Sequence, residues 1–145
     1  MERSYTSKLI GGIISNCGVL EHFVNTMIIG LSKDEILAGS VTKLSLSRRL
    51  DNLKVLLENR TSISSQEIKT MVGKIKKLSE DRNKIAHCIV LEGDHENHVS
   101  VLNWNSGECS IQQINNSELA DILKVSRDVI AETTSFSMKV GLTRE

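Results

Sequence analysis

From Ile68 to His87 the chain reads IKTMVGKIKKLSEDRNKIAH. Ile68, Met71, Ile75 and Leu78 are spaced by alternating three and four residues, which puts them on one face of an α-helix. The same steps carried forward land on Arg82, Ile85 and Ile89. Just upstream, Ser64 and Glu67 have the spacing of a capping box. The serine oxygen can accept from the amide three residues on, and the glutamate can return to the serine amide. A helix is therefore expected from Ser64 to His87, with an arginine where its apolar stripe calls for a hydrophobe. A guanidinium in that position snorkels out, pairs with a buried acid, or reaches into an interface.

Working back from this helix, "NRTSISS" reads as a loop and "LSLSRRLDNLKVLLE" as a second amphipathic helix with Leu46, Leu50, Leu53 and Leu57 on its seam. "SKDEILAGS" reads as a polar break. Before it, Ile10, Ile13, Cys17, Leu20, Val24, Met27 and Leu31 form a seam sustained over about three heptads. Ile14, Phe23 and Ile28 widen that seam into the stripe of a bundle helix, expected over residues 5–31. Gly11, Gly12 and Gly18 lower its intrinsic helicity.

Working forward, the pattern changes after His87. "CIVLEG", "HVSVLNW" and "CSIQQI" are short, rich in β-branched residues and separated by the turn-forming "GDHEN" and "NSGE". They read as a small antiparallel hairpin with room for a third strand. "NNSELADILKVSRDVI" returns to helical spacing, with Asn115 or Ser117 as its cap, and the tail after Met138 is expected to be loose. The fold class expected is mainly α: four helices with a small β-hairpin between helices 3 and 4, as one domain over 1–145.

Composition agrees. Apolar residues are 39% and charged residues 25%, as in a soluble globular chain. Aromatics are only 3%, so the core must be Leu, Ile and Val, and the absence of proline suits long helices. A formal net charge of zero argues against a coating of positive charge for sequence-blind nucleic-acid binding, though it leaves room for a local basic site. Three cysteines, Cys17, Cys88 and Cys109, without CxxC spacing fit a reducing compartment. "KLIGGIISNCGVL" is interrupted by Asn16 and continues in helical register, so it reads as a core helix and not as a signal segment. No membrane association is expected.

The polar residues at the end of the third helix can act together. Asn83 and His87 are an i,i+4 pair, about 40° apart around the helix, and the long Arg82 can sweep toward them. A histidine titrating near neutrality can take the proton of an RNA 2′-hydroxyl or protonate a departing oxygen. An arginine suits the charge of a pentacoordinate phosphate, and an asparagine can orient either partner. With an internal 2′-hydroxyl nucleophile no metal is needed. One such set lacks a second proton-transfer group, which a two-fold dimer would supply.

"RNKIAH", Arg82 to His87, resembles the Arg-x4–6-His motif of the HEPN superfamily, in which a polar residue, often Asn, follows the arginine. The order of elements is also similar: a long first helix, the motif late in the third helix, then a hairpin and a last helix. The residue after the histidine, often glycine in related sequences, is Cys88 here. The resemblance implies a HEPN-like four-helix bundle and a metal-independent endoribonuclease that works as a homodimer. Such proteins serve as toxins with antitoxins, in anti-phage defence, or in RNA processing. It would make Arg82 the phosphate stabiliser, His87 the general acid/base and Asn83 the support of both, with Lys84 beside the substrate. It implies an RNA substrate, an antitoxin or other regulatory protein as partner, no cofactor, and a cytoplasmic location. The alternative is a non-catalytic HEPN-fold interaction or nucleotide-binding module in which Arg82 and His87 are structural. Arg82 would then form an ion pair with Glu21 or another acid of the first helix, and His87 would favour a helix C-terminus.

Other features read more plainly. Residues 66–87 carry six lysines and arginines against three acids, which could guide RNA; outside Lys84 they read as a solvated helix face, as do Arg48 and Arg49. His95 and His98 lie in a turn, and Cys88 and Cys109 are not paired ligands at zinc spacing, so no metal site is expected. Cys17 reads as a small core residue and Trp104 as hairpin packing. The isolated glycines make no phosphate-binding loop.

Overall fold

The computed structural model describes residues 2–86, 88–89, 98–105 and 108–142, with side chains at 5–86 and 113–141. The protein is mainly helical. In chain order it has α1 (Glu2–Ser32), α2 (Glu35–Val41), α3 (Leu46–Arg60), α4 (Ser65–Ala86), strands β1 (Cys88–Ile89), β2 (His98–Asn105) and β3 (Glu108–Asn115), and α5 (Asn116–Leu142). These elements form two compact units, one of residues 1–17 and 78–127 and the other of residues 18–77 and 128–145.

The apolar seams account for the long helices. On α1, Ile13 and Val24 have no exposed surface, and Cys17, Leu20, Met27, Ile28 and Leu31 are buried. On α3, Leu50, Leu53 and Leu57 are fully buried, and on α4 so are Ile68, Ile75 and Leu78 to within 2%. Burial of one such side chain is worth about 1.5–3 kcal/mol, which outweighs the roughly 1 kcal/mol per residue that each helical glycine of α1 costs. Ile14, expected to widen the α1 stripe, is instead 36% exposed. It lies at the stripe's margin, a position that periodicity alone assigns to neither side.

The polar break before α3 holds a helix that was not expected. Lys33 takes a left-handed conformation, φ 54°, and ends α1. Asp34 then caps α2, its Oδ1 accepting from the amides of Ile36 at 2.9 Å and Leu37 at 3.1 Å. A carboxylate at a helix N-terminus satisfies orphan amides and favours the dipole. Of this short helix only Ala38 and Val41 are buried, too little apolar content to announce itself as a stripe.

The start of α4 follows the expected cap in part. Glu67 N donates to Ser64 Oγ at 3.2 Å, whereas the Glu67 carboxylate accepts from Lys139 Nζ at 2.5 Å. At α5 the cap is Asn115, whose Oδ1 accepts from Glu118 N at 2.8 Å. The tail expected to be loose after Met138 is helical through Leu142, and Val140 is only 4% exposed. In the second half of α5 the buried Val129, Thr133, Phe136 and Val140 keep the steps of four, three and four that hold one helical face.

In the first unit, β1, β2 and β3 pair antiparallel in that order. Cys88 lies opposite Val101, and β2 and β3 run in register from His98 opposite Asn115 to Asn105 opposite Glu108. The same unit brings α1 close to α5. A Cβ at Gly12 would come within 3.0 Å of Leu123 Cδ1. Beside it, Asn16 Nδ2 donates to Ser126 Oγ at 2.9 Å, and Ser126 Oγ donates to the Leu123 carbonyl at 2.6 Å. Ser126 is fully buried, so this chain of bonds satisfies a hydroxyl that would otherwise be costly there.

Candidate functional site

Arg82, Asn83 and Lys84 lie near the end of α4, Lys84 in its last turn, and all three are exposed. Arg82 sits on the helix's apolar seam, between Leu78 at 2% exposure and Ile85 at 1%. The seam is thus buried on either side of it, and the arginine is the point at which that face meets solvent. Arg82 Nη1 donates to Asn83 Oδ1 at 3.3 Å. The carbonyl end of the Asn83 amide accepts from Arg82, and its NH2 end carries two donors. His87 lies outside the described residues, as does His95. For Cys88, His98, Trp104 and Cys109 the described part is the backbone, so the readings made of those side chains also fall outside.

Glu21, one of the first-helix acids offered to Arg82 as an alternative partner, is bonded to Arg49. Glu21 Oε1 accepts from Arg49 Nη2 at 2.9 Å, and Arg49 Nη1 donates to Asn25 Oδ1 at 2.8 Å. Glu21 and Asn25 are one turn apart on α1, and Arg49 spans them from α3. The Arg49 side chain is only 11% exposed, and its Nε is buried without a hydrogen-bond partner among the described residues. Arg49, expected on a solvated helix face, is thus mostly buried. Its one available signal was its place next to Leu50 on the seam side of α3.

The lysines of α4 behave as a charged surface. Lys74 Nζ donates to Glu132 at 2.7 Å and Lys76 Nζ to Asp51 at 2.6 Å. Both pairs are substantially exposed and contribute little to stability. They do offset the positive charge that α4 shows when its sequence is read alone.

No family model, no curated protein and no solved structure matches this chain.

What the last turn of α4 can do therefore rests on its own chemistry. A helix C-terminus carries the negative end of the macrodipole, and cations there are favoured while anions are not. Arg82 and Lys84 bring cations near that end, with Glu80 and Asp81 immediately before them. Arginine adds a planar fork of N–H donors that matches two phosphate oxygens at once. Among the described residues no three His, Cys, Asp or Glu side chains come together as a metal site. Among them also no helix is long and apolar enough to cross a membrane.

Proposed function

We propose that this chain is a metal-independent endoribonuclease of HEPN type, built as a HEPN-like helical bundle with a hairpin inserted before its last helix. The observation that carries the reading is Arg82: an exposed arginine on an otherwise buried helical seam, bonded to the asparagine beside it. In this reading the RNA 2′-hydroxyl attacks the adjacent phosphorus, the bond to the 5′-oxygen breaks, and the products end in a 2′,3′-cyclic phosphate and a 5′-hydroxyl. Arg82 binds the phosphate oxygens as their charge grows. Asn83 holds Arg82 and offers its amide donors to the substrate. His87 moves the protons, and two copies of the motif in a homodimer supply an acid and a base together. Lys84 adds positive charge beside the scissile phosphate. A protein working in this way acts in the cytoplasm as a toxin or defence effector, restrained by an antitoxin or other regulatory partner.

The test is incubation of a mixed RNA pool in EDTA with wild type, His87→Ala and Arg82→Ala, followed by identification of the product ends. Cyclic phosphate ends from wild type alone support the reading. Intact RNA from folded wild type, alone and with its partner, turns the assignment toward a non-catalytic interaction module.

A further inference from the structure

We draw no further inference here: the strongest candidate, the groove between the start of α4 and the second half of α5 with Thr70, Met71, Ser135 and Phe136 along it, has its rim acids Glu67 and Glu132 already paired with Lys139 and Lys74, and nothing in the structure shows what occupies it.

Discussion

Arg49 holds Glu21 and Asn25 together, with Nη2 to Oε1 at 2.9 Å and Nη1 to Oδ1 at 2.8 Å. The guanidinium comes from α3 and its two acceptors from successive turns of α1, so a single side chain fixes how these helical segments meet within their unit. Arg49→Ala removes two hydrogen bonds from a charged donor and the packing of the stem. It is expected to cost about 2–3 kcal/mol. Arg49→Met keeps the apolar stem and is expected to lose roughly 1 kcal/mol less. Urea denaturation of the three proteins checks this, and equal midpoints for wild type and Arg49→Ala would remove the clamp from the account. Glu21→Gln is the mild member of the series, since Glu21 is 44% exposed and glutamine still offers an acceptor oxygen.

Arg82 gives the opposite pattern. Its side chain is exposed and its bond is to a neighbour on the same turn, so Arg82→Ala is expected to shift stability by no more than about 0.5 kcal/mol. If the proposed ribonuclease reading holds, the same variant loses cleavage, and Arg82→Lys recovers little because an ammonium cannot make the bidentate contact. Asn83→Ala should fall between them, weakening cleavage through the loss of Arg82's support. Melting curves run beside cleavage assays separate the two effects. A variant that melts early and cleaves poorly would instead make Arg82 a structural residue.

The glycines of α1 offer a packing test. Nothing lies within 4 Å of a Cβ built at Gly11 or Gly18, and both are exposed in a helix interior. Gly11→Ala and Gly18→Ala are each expected to stabilise by about 0.5–1 kcal/mol. Gly12→Ala gains the same propensity but presses on Leu123 at 3.0 Å, so its net gain is smaller. Thermal denaturation of the three variants should rank Gly12→Ala last. A ranking with it first would mean that α1 and α5 are not this close.

At the other end of the chain, Val140 is buried and Lys139 is paired with Glu67. Deleting residues 139–145 removes the burial of Val140, about 1–2 kcal/mol, and shortens α5 by its last turn. Lys139→Ala alone should cost less than about 1 kcal/mol, because the pair is exposed. A truncated protein as stable as the full chain would return this segment to the loose tail first expected.

The helices were legible because burial repeats at a fixed period. Ile13, Val24, Leu50, Leu57 and Ile68 are all among the best-buried residues, and each was placed on a seam by spacing alone. Three features were not legible, each for its own reason. Helix α2 depends on the Asp34 cap more than on an apolar face. The end of α5 keeps its stripe through Val140, but serine, threonine and methionine around it dilute the pattern. Arg49 finds partners twenty-four and twenty-eight residues away, a distance over which spacing carries no information. For the candidate site, Arg82, Asn83 and Lys84 are exposed near the end of α4, while His87 is outside the described residues. What spacing could not give is that Arg82, on the buried face by count, is exposed.

The corner from Ser32 to Asp34 has a kinetic meaning. Ser32 Oγ bonds to the carbonyls of Ile29 and Asp34, and Asp34 bonds to Ile36 and Leu37, so every partner is within three residues in sequence. Closing such short loops costs little chain entropy and takes well under a microsecond. The change of direction between α1 and α2 can therefore be set before distant segments meet. The bonds of Arg49 to Glu21 and Asn25 close loops of more than twenty residues, at a higher entropy cost.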